Sequence, residues 1–136
     1  MKRYVLDANA VICYLTNGPG IERIDRLFAQ AQRGEASLSM SVVNRGEALY
    51  NLAKRAGMIE AAAALRTIAH YVESVDATEE QANGAAALKF IYKLGYADCF
   101  AADLAIRRGA ILVTADPDFV KLGKQLKVLA LPRHSV

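Results

Sequence analysis

Sulfur, imidazole and long apolar runs are all scarce in this chain. Its two cysteines, Cys13 and Cys99, stand alone, with no CxxC pair and no ligand-like histidine spacing. A disulfide is therefore not expected, and both thiols read as small buried hydrophobes in a reducing compartment. The two histidines, His70 and His134, fall at a predicted helix end and in the C-terminal tail with no constellation around them. That disfavours a metal-free acid–base scheme built on histidine. No apolar run approaches the ~20 residues of a membrane span, so the expectation is a cytoplasmic protein with no membrane partner. An excess of one charge is missing too. Seventeen Lys and Arg against fourteen Asp and Glu leave a net charge of +3, far from the dense basic stripe that would announce nucleic acid by itself. No repeat, linker or low-complexity segment divides the sequence. At 136 residues and 54% hydrophobic composition, it suits one domain, 1–136, able to bury a core without disulfides.

The hydrophobic pattern alternates between short apolar runs and helical stretches. Tyr4 to Leu6 reads as a strand buried on both faces, followed by helices over Ala8 to Leu15 and Ile21 to Arg33. A strand is expected near Ala36 to Met40. Helices over Val43 to Ala56 and Ile59 to His70, joined by Gly57-Met58, predict a projecting helical hairpin. After a strand at Tyr71 to Val75, Thr78-Glu79-Glu80-Gln81 has the form of a capping box. It opens a helix to about Leu94 that is expected to bury Ala82, Ala85, Ala86 and Phe90. Gly95 is placed as its stop. A helix from Asp98 to Arg108, a strand at Ile111 to Thr114, a short helix from Pro117 to Gly123 and a strand at Lys127 to Leu131 complete the chain. Strands alternating with helices predict an α/β fold with a parallel sheet flanked by helices.

Four acids stand where the chain should change direction: Asp7, Glu47, Asp98 and Asp116. Each has an ordinary reading. Asp7 ends a strand and caps a helix; Asp116-Pro117 is a good helix start; Asn44-Arg45-Gly46-Glu47 reads as a capping box with asparagine at the N-cap. Asp98 is harder to place, because Ala101, Ala102 and Ala105 share its helical stripe and no Lys or Arg on that stripe could pair with it. A buried unpaired carboxylate costs several kcal/mol or takes up a proton. Asp103, about 140° further round the helix, is expected to be solvated or part of a capping network. The joint reading rests on geometry, since ligands in open α/β sheets bind beyond the carboxyl ends of the strands. If the four acids converge, their repulsion calls for a cation, and oxygen ligands without Cys or His select Mg2+ or Mn2+. Two such ions roughly 4 Å apart would suit hydrolysis of a phosphodiester.

At these residues the chain resembles the PIN-domain ribonucleases, most closely the VapC-type toxins of toxin-antitoxin systems. Tyr4-Val5-Leu6-Asp7-Ala8-Asn9 is similar to that family's first strand and first acid, and Ser41-Val42-Val43-Asn44-Arg45-Gly46-Glu47 to its segment ending in glutamate. Tyr96-Ala97-Asp98-Cys99-Phe100-Ala101-Ala102 resembles the third acidic motif and Thr114-Ala115-Asp116-Pro117-Asp118-Phe119 the fourth. The resemblance implies a single PIN-like domain with a five-stranded parallel sheet, and a Mg2+- or Mn2+-dependent endoribonuclease acting as a toxin. Its partners would be RNA substrate, a cognate antitoxin protein and a second copy in a homodimer. It also implies that Asp7, Glu47, Asp98 and Asp116 are the catalytic, metal-binding carboxylates. Asn9 and Thr114 would be supporting contacts, and Asp118 an alternative fourth carboxylate. Arg45, Lys54, Arg55, Arg107, Arg108, Lys121 and Lys124 read as solvated charges, some able to touch RNA phosphates. The other readings are a housekeeping PIN nuclease in RNA processing, a haloacid-dehalogenase-like phosphotransfer domain, and a non-catalytic binding module. The phosphotransfer family expects Asp-x-Asp, whereas position 9 is Asn.

Overall fold

The structure, a computed structural model, describes residues 1–132; His134 lies outside them. Five parallel strands form one sheet in the order β3-β2-β1-β4-β5. They are β1 (Lys2–Leu6), β2 (Ala36–Ser41), β3 (Val72–Val75), β4 (Ile111–Thr114) and β5 (Lys127–Ala130). The chain builds outward from β1 through β2 to β3, then crosses back to lay β4 on the other side of β1, with Leu6 opposite Val113. That reversal between β1 and β4 opens a crevice at the carboxyl ends of two neighbouring strands.

Both faces of the sheet are covered, as continuous apolar runs require. Successive side chains of a strand point to opposite faces. Tyr4 and Leu6 accordingly join one core with α1 (Ala8–Leu15), α2 (Ile21–Gln32), α3 (Val42–Ala56) and α4 (Met58–Arg66), while Val5 and Leu112 join the other with α5 (Glu79–Tyr92) and α6 (Tyr96–Arg108). A 3₁₀ segment, Pro117–Gln125, leads into β5 and seats Phe119 and Leu122 in the second core. The helical hairpin is present as α3 and α4, joined through Gly57 alone at φ 88°. Turns over 67–71, in place of more helix, lead into β3.

Several local expectations are corrected. The N-cap of α3 is Ser41, whose Oγ accepts the Val43 N–H at 3.2 Å. Asn44 is thus already inside the helix. The capping box at Thr78 and Gln81 forms as expected, but α5 ends with Lys93 in the left-handed region at φ 60°, and Gly95 instead caps the start of α6. Phe90 is 86% exposed. The face of α5 turned inward carries Ala85 and Leu88, with Ala82 and Tyr92 packed beside them. Among the described residues no helix is long and apolar enough to cross a membrane.

Asp103 is buried, contrary to the solvated placement. Its Oδ2 accepts Arg107 Nε at 2.6 Å, and Arg107 also grips the Glu80 carboxylate at 2.7 Å and its carbonyl at 2.9 Å. Arg108 pairs with Glu73 at 3.0 Å. These two arginines therefore join elements of the fold. The α5–α6 junction depends on Gly84, because a Cβ there would lie 2.1 Å from Asp103 Oδ1 and 2.9 Å from Arg107 Nη2. Gly46, mid-helix in α3, faces open space instead. Denaturant titration should separate the two. Gly84→Ala should destabilise by roughly 1–3 kcal/mol through overpacking, and Gly46→Ala should stabilise by roughly 0.5–1 kcal/mol by restricting the unfolded chain.

Candidate metal centre

Asp7 lies one residue past β1 and ends it by turning the chain into α1. Its Oδ1 accepts the Ala10 N–H at 2.8 Å, a helix cap, and its Oδ2 accepts the Thr114 hydroxyl. Asp7 is only 2% exposed. Thr114 ends β4 directly alongside, and its Oγ1 also accepts the Asp116 N–H at 3.0 Å. Asp116 in turn caps the 3₁₀ segment, with Oδ1 accepting the Asp118 N–H at 2.8 Å. The ends of the two central strands are thus tied by one line of hydrogen bonds, Asp7 to Thr114 to Asp116 to Asp118.

Glu47 reaches the same edge from α3 and Asp98 from the first turn of α6, both half-buried. Asn44 holds these two helices together. It is fully buried, and its Nδ2 donates to the carbonyl of Ala97, the residue before Asp98, at 2.9 Å. Its Oδ1 is buried with no donor among the described residues. Gly95 makes room for Asp98, since a Cβ there would stand 3.0 Å from Asp98 Oδ2.

The acids feel one another. Burial pushes the Asp7 carboxyl up to about 7, with smaller upward pushes from Asp98 and Glu47, against the lowering hydrogen bonds from Thr114 and the Ala10 amide. Burial is also the main cause that raises Asp98 to about 6, followed by the charges of Glu47, Asp116 and Asp118. A helix N-terminus favours a carboxylate by about 0.3–1 kcal/mol, under one pH unit. At Asp98 that benefit is overridden. Burial raises Glu47 as well, while the Asn44 amide one turn earlier pulls it down. Among the described residues no Lys or Arg forms an ion pair with any of the four.

The four acids named from the sequence are therefore brought to one edge, within electrostatic reach of one another. The convergence stops short of a finished ligand cage: among the described residues no three Asp, Glu, His or Cys side chains meet at a single ion position. The donor set nevertheless fits a hard divalent cation, being all oxygen and, among the described residues, without a paired positive charge. Thr114 supports Asp7 directly. Asn9 is exposed and makes no hydrogen bond to the acids among the described residues. Instead it lines a cleft of about 400 Å3 that shares Asp116 and Asp118 with the acidic edge. His70 is exposed beside Tyr71. Sequence reasoning took Asn44 for a cap and missed its place between Glu47 and Asp98. The available signal was its spacing, one helical turn before Glu47 on the same face.

Below about pH 7 for Asp7 and about pH 6 for Asp98, the folded chain holds protons that the unfolded chain gives up near the ordinary value of 3.8. With divalent ions chelated, stability should therefore fall as pH rises from about 4 to about 7, read as a declining thermal midpoint. Mg2+ binding should expel those protons near pH 6 and expel almost none at pH 8, read by calorimetry in buffers of different ionisation enthalpy. Thr114→Val removes a hydrogen bond that lowers Asp7, so it should move both effects to higher pH.

A PIN-domain family model matches residues 4–125. Among curated proteins no significant match to the sequence is found. Solved structures match over nearly the whole chain. VapBC2 from Rickettsia felis, bound to a DNA fragment from its promoter, shares 19% identity over 95% of this chain and 98% of that chain, with a TM-score of 0.76. DNA-bound VapBC from Salmonella typhimurium shares 20% identity over 96% and 98%, with a TM-score of 0.76. VapC20 of Mycobacterium tuberculosis, a sarcin-ricin loop cleaving toxin, shares 18% over 88% and 95%, with a TM-score of 0.69. At identities this low the neighbours speak for the fold. The family model, however, runs from β1 to the end of the 3₁₀ segment, and the chain belongs to the PIN-domain family.

Proposed function

We propose that this chain is a divalent-metal-dependent endoribonuclease, the toxin of a toxin-antitoxin pair. One observation carries the reading: four carboxylates drawn to the sheet's carboxyl edge with, among the described residues, no cationic side chain paired to them, two of them raised to about 7 and about 6. A protein that leaves such repulsion uncompensated is built to receive positive charge from outside. Membership of the PIN-domain family and the likeness to VapBC structures support the same reading.

Asp7, Glu47, Asp98 and Asp116 would hold Mg2+ or Mn2+, with Asp118 close enough to Asp98 to add to its charge environment. When bound, the cation supplies an activated water and stabilises charge on the leaving oxygen of an in-line displacement. Thr114 fixes Asp7 through the hydrogen bond it donates to Oδ2. Asn44 fixes the separation between the helices that carry Glu47 and Asp98. Domain extent 1–136, a homodimer and an antitoxin partner belong to the same proposal. Exposed apolar side chains support a protein partner: Tyr50, Met58 and Ile59 on the hairpin, and Phe90 and Ile91 on α5.

Purified chain, freed of any bound partner, should cut RNA in Mg2+ or Mn2+, leave 5′-phosphate ends and stop in chelator. Asp98→Asn should lower the rate at least about a hundredfold while its thermal midpoint stays at or above that of the parent. Undiminished cleavage by that variant would overturn the mechanism.

A further inference from the structure

Beside the acidic edge lies the cleft of about 400 Å3, between α1 with the turn after it, the end of α3 and the start of the 3₁₀ segment. From its lining and its position we infer that it seats one unpaired nucleobase of the RNA next to the reacting phosphate, with guanine the base it fits best. The inference rests on the nuclease reading and adds a specificity site to it.

The volume is toward the lower end of the ~300–1,000 Å3 of small-ligand sites, enough for one nucleotide. Its polar groups are of both signs. Arg55, exposed at the last turn of α3, faces the cleft without an ion-pair partner among the described residues, whereas Asp118 and Asp116 stand on another wall. An anion alone would meet two carboxylates there. A cationic side chain would meet Arg55. A ligand with phosphate at one end and N–H donors at the other satisfies both.

Pro19 and Pro117 add apolar ring faces against which a flat base packs. Thr16 donates its hydroxyl to the Ile12 carbonyl at 2.6 Å, so toward the cleft it serves as an acceptor. Asn9 offers both a donor and an acceptor. Guanine is the only base whose Watson–Crick edge presents two adjacent donors, N1–H and the 2-amino group, which match the paired oxygens of a carboxylate such as Asp118. Uracil presents one N–H between two carbonyls, which a carboxylate repels. Because Asp116 belongs to both the cleft and the acidic edge, a base held there lies within one nucleotide of the reacting phosphate.

Mononucleotides test this without metal or cleavage. In chelator, GMP should shift the backbone amide resonances of Asn9, Thr16, Arg55 and Asp118 saturably, and should bind at least about fivefold more tightly than UMP. Arg55→Ala should weaken GMP several-fold and leave guanosine unchanged. The assignment falls if the four nucleotides bind equally, if inorganic phosphate alone gives the same shifts, or if none of these amides responds. It also falls if an arginine-bearing peptide occupies the cleft and GMP does not. RNA cleavage by a chain that ignores GMP would remove only this subsite, whereas GMP binding by a chain that never cuts RNA would remove the nuclease reading.

Discussion

A buried aspartate at the end of the central strand organises everything around it. Asp7 spends one carboxylate oxygen on the Ala10 amide and the other on the Thr114 hydroxyl, and its own amide donates to Val113 at 3.3 Å. It thereby starts α1, locks β1 to β4 at the point where strand order reverses, and presents a charge in a place water scarcely reaches. The bond to Thr114 has further reach. Thr114 positions Asp116 through its hydroxyl and the end of β5 through its carbonyl, which accepts the Leu131 N–H at 2.8 Å. The start of α1, the alignment of two strand ends and the acidic edge all meet at this one polar contact. A hydrogen bond to a charged group contributes about 1.5–3 kcal/mol, and leaving one partner unsatisfied costs the same order again.

Capping and cation binding are usually weighed as rivals for a carboxylate at a helix start. Here they coincide. Asp7 caps α1 and Asp116 caps the 3₁₀ segment, yet both stand within the electrostatic reach of Asp98. A cap engages one lone pair of one oxygen and leaves the rest of the group free. The capping bond also fixes the side-chain rotamer, which is what a preorganised site requires. One carboxylate can therefore cap a helix and still face a cation.

What the sequence disclosed, and what it hid, follow from the range of the interactions. The strands and most helix limits were legible because they depend on local periodicity and turn residues. Asp7, Glu47, Asp98 and Asp116 were legible as a group because each sits at a change of chain direction. Three features were not. Helical spacing places Phe90 on an inward stripe with Ala82, Ala85 and Ala86, but the phase of α5 is set by Ala85 and Leu88 against α6, which turns Phe90 out to solvent. Asn44 looked like a cap because Asn-x-x-Glu has that form, whereas the strand runs straight into α3 and Ser41 takes the position. Asp103 has its own partner four residues away in Arg107, a local i,i+4 pair. Its burial, however, comes from α5, where Gly84 packs against it and Glu80 stands 27 residues from that arginine, and no local pattern encodes that packing.

The two aspartates of α6 make the strongest comparison within the molecule. Asp98 and Asp103 sit on one helix, five residues apart, the first half-buried and the second buried. At Asp103 the fold supplies Arg107 at 2.6 Å, trims residue 84 to glycine to admit the pair, and adds Glu80 to complete it. At Asp98 it also removes a side chain, at Gly95, but the nearby charges are Glu47, Asp116 and Asp118, all negative. The same helix thus shows that this protein can neutralise an interior carboxylate. Burying a charge among like charges is costly wherever it occurs, and selection for stability alone would treat Asp98 as it treats Asp103. The informative difference is therefore that one aspartate is compensated by an arginine on its own helix, whereas among the described residues the other has no arginine or lysine paired with it.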